Sequence, residues 1–384
     1  MSETSALELF AVAAPGLEPV VAAELGTLGI HATAEPGGAR WSGPISDVFE
    51  ANLRLRTASR IIARIAQFDA RTFYELERRA RRVPWERYVP PGGAVRWRVT
   101  SHKSRLYHER AIEERLAGAV AQRAGGFAAP ADDEAGQLFV VRVLRDRFTV
   151  SADTSGELLH RRGYRQAVAK APIRETLAAA MLLISGWRAD SSLLDPFCGS
   201  GTIPIEAALM ARGVPPGLAN PELRPRHYAF ENWPEHDPIR WRAFLDRARE
   251  LVRPTTGTRI QGSDRDAGAI AAAMANAERA GVGSDIEFER RALSAVSPPP
   301  GEGWLVSNPP YGVRMGERAR LRDLYAALGH FARQRLAGWT IALLSADRQL
   351  EGHTGLSFDD ALATVNGGIR VRVVVGRVPG HAAA

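Results

Sequence analysis

From about residue 165 onward, short apolar strands alternate with helices, and this alternation constrains the fold more than any other feature of the chain. Short apolar runs bounded by turns predict strands, and apolar residues spaced three and four apart predict helices. Strands are expected at 192–195, 258–264, 285–289, 303–308 and 339–347, and helices at 170–187, 202–212, 266–281 and 320–336. An antiparallel pair is expected at 360–365 and 369–376, and the Pro-rich stretch 214–234 is expected to be an inserted loop. The pattern predicts a doubly wound α/β domain over residues 165–384, in which ligands bind beyond the carboxyl ends of the strands.

Residues 1–160 show a different, mixed pattern. Within 1–68, the periodicity predicts a compact α+β unit with strands at 7–14, 40–42 and 59–68 and helices at 17–30 and 47–56. Within 69–160, it predicts a helix that starts at 73 and ends at Pro84, a strand at 94–101, a helix at 109–125 and a hairpin at 138–153 that turns at Arg145 and Asp146. A chain of 384 residues suggests two or three domains, at roughly 100–200 residues per domain.

The positive charge of the chain is concentrated in one region. The whole chain has a net charge of +7, and residues 40–165 alone hold 24 basic and 15 acidic residues. A local positive field of this size is typical of proteins that bind a phosphate backbone. The alternative is a solvated basic surface with no partner.

The cysteine content and the apolar segments indicate the cellular compartment of the chain, and the histidines indicate whether it binds a metal. Cys198 is the single cysteine, which excludes a disulfide framework and fits a reducing compartment. No stretch approaches the roughly 18 apolar residues of a membrane span, and residues 1–39 lack the basic residues of a signal peptide. The nine histidines show no metal-ligand spacing. We therefore expect a cytoplasmic protein, without a membrane segment and without a metal, and we expect it to be a monomer.

The first candidate site is a Gly-rich turn between a buried strand and a helix. The strand ends at Asp195, the turn contains Gly199, Ser200 and Gly201, and the helix starts near Thr202. Glycines let a backbone approach a ligand closely, and a helix N-terminus offers free N–H groups. The absence of a lysine after the glycines argues against a nucleotide triphosphate. The alternative is a tight strand–helix turn without a ligand.

Two further sites follow later strands. Asp264 ends the strand at 258–264, where doubly wound nucleotide binders present an acid to ribose hydroxyls, while Asp266 is expected to cap the next helix. Asn308 ends the strand at 303–308, and Pro309, Pro310 and Tyr311 follow it. Two prolines supply carbonyl acceptors and no N–H donors, and Asn308 and Tyr311 add an acceptor and a flat ring, which suits a planar group bearing an amine. The alternative for this motif is a stiff β-turn.

The three sites together look like those of an S-adenosylmethionine-dependent N-methyltransferase. The whole chain further resembles the RlmL/TrmN group of THUMP-domain RNA guanine-N2 methyltransferases, and the resemblance covers nearly all 384 residues. It includes the segments 9–25, 51–61, 153–165 and 171–183 as well as DPFCGSG and NPPY. The resemblance implies a ferredoxin-like domain over 1–68, an RNA-binding THUMP domain over 69–160 and a class I Rossmann-like methyltransferase domain over 165–384.

The resemblance also implies roles for individual residues. Asp264, with Arg265 beside it, is expected to bind the cofactor ribose. Asn308, Pro309, Pro310 and Tyr311 are expected to hold the target base, with Asn308 also bordering the cofactor. The loop that is expected to hold the methionyl part of the cofactor consists of Asp195, Pro196, Phe197, Gly199, Ser200, Gly201 and Thr202. One departure from the family pattern is Ala292, at the position where these enzymes usually place an adenine-binding aspartate.

The expected reaction is methyl transfer from S-adenosylmethionine to N2 of a guanine that is unpaired or flipped out of its helix. The alternatives are a DNA adenine-N6 or cytosine-N4 methyltransferase, a protein glutamine methyltransferase and a non-catalytic RNA-binding protein. The resemblance leaves the RNA open between tRNA and 23S ribosomal RNA. The sequence holds one methyltransferase pattern, whereas some ribosomal members carry two, and this favours tRNA.

Overall fold

A computed structural model describes residues 6–123, 136–166, 173–311 and 318–380, and its N-terminal part is an α+β unit. The predicted strand–helix order is confirmed there, with one added short strand. The strands are β1 Leu7–Val12, β2 Thr33–Glu35, β3 Gly38–Gly43, β4 Arg60–Asp69, β5 Val95–His102, β6 Gln137–Leu144 and β7 Arg147–Asp153. The helices are α1 Glu18–Thr27, α2 Ile45–Arg54, α3 Phe73–Ala80 and α4 Glu109–Arg123.

All seven of these strands form one sheet, in the order β2-β3-β1-β4-β7-β6-β5. The strand β4 pairs with β1 on one side and with β7 on the other, so strands from segments 1–68 and 69–160 are hydrogen-bonded to each other. The predicted hairpin turns at Arg145 and Asp146, whose φ angles of 51° and 66° match a two-residue turn of the left-handed type. The two N-terminal segments therefore share a sheet.

Helix α3 is shorter than the sequence predicts. It ends at Ala80, and a separate 3-10 turn follows at Trp85–Arg87. Pro84 disfavours helical geometry at the residue before it, which ends the helix early. The turn buries Trp85 edge-on against Trp97 and Phe139, and so fixes β5 and β6 beneath the helices.

The C-terminal part is a second seven-stranded sheet with helices on both faces, which confirms the doubly wound fold. Its strand order is β10-β9-β8-β11-β12-β14-β13, all parallel except β14, which is antiparallel to both its neighbours. The strands are β8 Ser192–Asp195, β9 Ile260–Asp264, β10 Ile286–Arg290, β11 Gly303–Ser307, β12 Thr340–Ser345, β13 Asp359–Asn366 and β14 Ile369–Arg377. The helices are α5 Glu175–Ile184, α6 Thr202–Ala211, α7 Pro238–Glu250, α8 Ala267–Ala280, α9 Arg318–Arg335 and α10 Arg348–His353.

The order of the strands places a cleft between β8 and β11. These two strands are neighbours, and the chain leaves β8 toward β9 on one side and leaves β11 toward β12 on the other. Alternate residues of the strands face opposite layers: Leu193 and Val306 join the core on the side of α6, whereas Leu194 and Leu305 join the core on the side of α9. A reversal of this kind opens a crevice at the carboxyl ends of the strands.

The inserted loop at 214–234 and helix α7 join the two parts of the chain. Phe49 of α2 packs against Phe230 and Trp241, with ring centroids 5.2 and 5.0 Å apart. Trp233 donates its ring N–H to the buried Gln137 side chain at 2.9 Å. These contacts continue the N-terminal core into the C-terminal part. Across the described ranges, no helix is both long and apolar enough to cross a bilayer.

Candidate active site

The carboxyl ends of β8 and β11 are tied together by a buried carboxylate. Asp195 is 1% exposed and accepts a hydrogen bond from Ser307 Oγ at 2.6 Å and from the Phe197 N–H at 3.1 Å. Burial raises the pKa of Asp195 to about 7, although the two hydrogen bonds oppose the shift. This side chain therefore joins the Gly-rich loop to the strand that precedes Asn308.

The Gly-rich loop is held in a conformation that needs glycine. Gly199 and Gly201 have φ angles of 53° and 83°, a region that other residues rarely adopt. A Cβ atom on Gly201 would lie 2.9 Å from the Cβ of Ala273 on α8. Cys198 fixes the other side of the turn, because its N–H donates to the Ser263 carbonyl at 3.0 Å. The loop packs tightly against β9 and α8, and α6 begins directly after it at Thr202.

Asp264 ends β9 beside this loop. Its Oδ2 accepts the Gly199 N–H at 3.2 Å, and its Oδ1 accepts the Asp266 N–H at 3.0 Å. Asp266 caps α8 as predicted, accepting the N–H groups of Gly268 and Ala269. Arg265 between them is exposed. Asp264 braces the loop, and each of its oxygens retains a second lone pair for a ligand.

The NPPY motif follows β11 at the same edge of the sheet. Asn308 Oδ1 is buried and has no hydrogen-bond partner among the described residues. Pro309 is buried, Pro310 is exposed, and Tyr311 is half-buried. The Tyr311 hydroxyl accepts a 3.0 Å hydrogen bond from Asn366 Nδ2 at the end of β13. A buried amide oxygen without a partner is an acceptor available to a ligand.

The position after β10 carries no acid. Ala292 is exposed and precedes a 3-10 turn at Leu293–Ala295. Glu289 is the nearest carboxylate along the chain, and it pairs with Arg291 at 2.5 Å. The departure from the family pattern seen in the sequence is therefore also present in the local structure.

Three polar residues near this edge of the sheet were not predicted from the sequence: Ser307, Asn276 and Asn366. Each is a polar side chain in a buried position of a strand or helix. Such a residue inside an apolar stripe is the signal that could have identified them, because buried polar groups require specific partners.

The site offers neither a metal centre nor an activated thiol. No group of three or more His, Cys, Asp or Glu side chains within the described part of the chain is arranged to hold a metal ion. Burial raises the pKa of Cys198 well above its usual range, so its thiol is not activated for nucleophilic attack.

Comparison with known proteins places this architecture in a family. A family model described as an RMKL-like methyltransferase domain matches residues 162–372, more than half of the chain. The chain belongs to the RMKL-like methyltransferase family. A second model, described as the RlmL ferredoxin-like domain, matches residues 8–62 of this family member.

Individual relatives resemble this RMKL-like chain over most of its length. It is 36% identical over 96% of its residues to the ribosomal RNA large subunit methyltransferase K/L of Syntrophotalea carbinolica, and covers 53% of that protein. The chain thus spans about half the length of that curated relative.

Two solved structures align with both parts of the chain. SMU.472, solved in complex with SAH, is 30% identical with a TM-score of 0.88, and the alignment covers 99% of this chain and 100% of the other. A Listeria monocytogenes protein, described as a predicted N6-adenine-specific DNA methylase, is 31% identical with a TM-score of 0.86, covering 98% and 97%.

Proposed function

We propose that the chain transfers a methyl group from S-adenosylmethionine to the exocyclic N2 of a guanine in structured RNA. The single observation that carries the proposal is the convergence of three strand ends at one edge of the sheet. Asp195 accepts a hydrogen bond from Ser307, and Asp264 accepts one from Gly199. Asn308 follows β11 directly, and its buried oxygen accepts no hydrogen bond from any described residue.

The residues at this edge fit S-adenosylmethionine. The left-handed glycines give the loop the shape in which it leads into α6, and the start of that helix offers N–H groups to a carboxylate. Asp264 has lone pairs left for ribose hydroxyls. Ala292 supplies no carboxylate to the adenine amine, so backbone and apolar groups would hold that ring. When bound, the cofactor supplies an activated methyl group on a sulfonium.

The NPPY residues suit a planar base with an amine. The amine of guanine is a poor nucleophile because its lone pair is delocalised into the ring. Asn308 Oδ1 and the Pro309 carbonyl accept its hydrogens, which stabilises the positive charge that develops on the nitrogen. Tyr311 stacks on the ring of the flipped base. Positioning of the two reactants accounts for most of the rate.

The RNA is proposed to bind at the end of the N-terminal sheet, within the THUMP domain that we propose for residues 69–160. Basic side chains there are exposed and form no ion pair with any described residue, whereas Arg115 and Arg123 on α4 are neutralised by Glu77 and Glu86. Tyr107 is 66% exposed beside them and offers a ring for stacking. The unpaired basic residues are Arg98, Lys103, Arg105, Arg142, Arg145 and Arg147.

The cellular setting follows from the same chemistry. A buried free cysteine fits the reducing cytoplasm, where RNA is modified. We propose a monomer there, because one chain carries both the basic surface and the cleft.

The RNA is either tRNA or 23S ribosomal RNA. The name of the Syntrophotalea relative favours ribosomal RNA. DNA methylation is the second candidate, since the Listeria protein is described as a DNA methylase.

One experiment separates these candidates. The purified chain is incubated with a labelled methyl donor and, in parallel, with tRNA, 23S rRNA and genomic DNA from cells that lack the gene. Nucleoside mass spectrometry is expected to find labelled N2-methylguanosine in one RNA pool. Label in DNA bases would overturn the proposal. Absence of label despite cofactor binding would favour a non-catalytic RNA-binding protein.

A further inference from the structure

Asn276 is a polar residue on the buried face of α8. It is fully buried, and its neighbours on the same helix face are Ala273, Ala277 and Ala280. Its Nδ2 donates a 3.0 Å hydrogen bond to the Ser200 carbonyl in the Gly-rich loop. Burial of a carboxamide costs free energy unless its polar groups are hydrogen-bonded. Breaking this hydrogen bond would therefore be costly, and the bond fixes the direction of the Ser200 carbonyl.

The same face of α8 also sets the shape of the loop. Ala273 lies one helical turn before Asn276, and its Cβ occupies the space that a side chain on Gly201 would need. Ala273 therefore limits how far the loop can move inward, while Asn276 fixes the direction of the carbonyl between the two glycines. Rotation of that peptide would redirect the Gly201 N–H, which already donates to the Cys198 carbonyl at 2.8 Å.

The orientation of Asn276 is fixed by a second residue of α8. Arg279 donates through its Nη2 to Asn276 Oδ1, and through its Nε to the Tyr164 carbonyl at 2.8 Å. An amide that accepts at its oxygen and donates at its nitrogen has one favoured orientation. Asn276 thus points its NH2 group at the loop because Arg279 occupies the other end.

Tyr164 belongs to the segment that joins the two parts of the chain. Its hydroxyl donates to Glu206 Oε1 on α6 at 2.9 Å, and Arg162 lies 3.5 Å from the same carboxylate. The connecting segment therefore contacts α6 through the side chains of Tyr164 and Arg162, and contacts α8 through the Tyr164 carbonyl. Both helices border the Gly-rich loop.

We propose that Asn276 is a positioning residue for the cofactor loop, oriented by Arg279 and the Tyr164 carbonyl. The inference rests on the proposed function, since it assigns the loop to cofactor binding. Asn276 itself does not touch the cofactor. It holds the Ser200 carbonyl turned inward, so that the backbone N–H groups at the start of α6 remain free for the ligand.

The test measures binding of S-adenosylhomocysteine by calorimetry and steady-state kinetics with variable S-adenosylmethionine. Asn276→Ala is expected to weaken binding about tenfold, because a buried carbonyl loses its partner. KM for the methyl donor should rise by a similar factor with kcat nearly unchanged, as expected when uniform binding is lost. Arg279→Met is expected to weaken binding about threefold, and the double variant should be no worse than Asn276→Ala.

The matched control is Asn220→Ala. Asn220 also donates its side-chain amide to a carbonyl, that of Arg224 at 2.7 Å, but in the inserted loop. It should leave cofactor affinity unchanged. If Asn276→Ala fails to fold, Arg279→Met still decides the question. The inference is wrong if a folded Asn276→Ala or Arg279→Met variant binds S-adenosylhomocysteine with wild-type affinity. It is also wrong if the losses of binding free energy of the two single variants add fully in the double variant. A wild-type chain that binds no S-adenosylhomocysteine overturns the proposed function instead.

Discussion

Ser307 Oγ donates a 2.6 Å hydrogen bond to Asp195 Oδ1, so the last residue of β11 is tied to the last residue of β8. The first strand end leads into the Gly-rich loop and the second leads into Asn308. Any shift of one motif relative to the other would break a hydrogen bond to a buried carboxylate. This side-chain contact adds to the backbone pairing of β8 with β11, and its strength depends on the protonation of Asp195.

The first prediction concerns pH and stability. The pKa of Asp195 in the folded chain is about 7, above the ordinary value of 3.8. The folded state therefore keeps a proton that the unfolded chain has lost, and this contribution to stability disappears as pH rises from about 4 to about 7. Asp195→Asn removes the titration. Relative to wild type, its unfolding free energy should rise by up to about 4 kcal/mol over that interval. Urea denaturation of both proteins at pH 4.5, 6 and 8 measures the difference, and parallel pH profiles would contradict it.

The second prediction is that Asn308→Ala nearly abolishes methyl transfer. Its buried oxygen has no described partner to lose, so the fold should survive. Loss of one preorganised polar contact to the reacting group typically lowers the rate about 100–1000-fold. Single-turnover methylation of unmodified transcripts measures the rate. Cofactor and RNA affinity of the same variant serve as controls and should stay near wild type. A wild-type rate would show that NPPY is only a structural turn.

The third prediction separates two roles of Asp264. Asp264→Ala should weaken S-adenosylhomocysteine binding without unfolding the domain, because both a ribose acceptor and the brace on Gly199 are lost. Asp264→Asn keeps one acceptor oxygen and should lose less. Calorimetry measures the affinity of wild type, Asp264→Asn and Asp264→Ala for S-adenosylhomocysteine, which should decrease in that order. Equal affinity in wild type and Asp264→Ala would refute the ribose assignment.

The fourth prediction concerns Tyr311. Tyr311→Ala should impair both base capture and turnover, because the stacking ring is lost. Tyr311→Phe should keep much of the activity, since the ring face remains and only the hydrogen bond from Asn366 is lost. Asn366→Ala should resemble Tyr311→Phe. Methylation rates at saturating and limiting RNA distinguish capture from turnover, and a severe defect in Tyr311→Phe would give the hydroxyl the main role.

The fifth prediction concerns the basic surface. Replacing Arg98 and Arg142 by glutamine should weaken RNA binding at low salt. The slope of log affinity against log salt should become shallower by about two, one for each phosphate contact. The control is Arg115→Gln, because Arg115 is already paired with Glu77 at 2.6 Å. Fluorescence anisotropy across a salt series measures the slopes. An unchanged slope in the double variant would place RNA elsewhere.

Local patterns in the sequence predicted most of the helices and strands, and the roles assigned to the site residues stay predictions. The Asp266 cap, the turn at Arg145 and Asp146, and the strand ends at Asp195 and Asp264 depend on residues that are neighbours in the chain, and a sequence shows these directly. Helix α7 was missed although its signals are present. Asp237 caps it, a proline follows, and Trp241, Phe244, Leu245 and Ala248 have helical spacing.

Contacts between distant segments could not be predicted. The pairing of β4 with β7 joins residues 78 to 91 positions apart, and no local pattern specifies that these two strands lie side by side. The hydrogen bonds of Asn276 and Asn366 likewise join distant segments. Their partners are chosen by packing, which depends on the whole fold.

The aromatic packing of Phe49 against Phe230 and Trp241 has a consequence for substrate choice. A joint made of interlocked rings and a buried Arg162–Glu206 pair resists bending. The distance between the basic end of the N-terminal sheet and the cleft is then fixed by the fold. In the proposed complex, an RNA bound at the basic end would place in the cleft only the nucleotide that its own fold holds at that distance. The protein would select its target guanine by its distance from the bound part of the RNA, and less by the nucleotide sequence around the guanine.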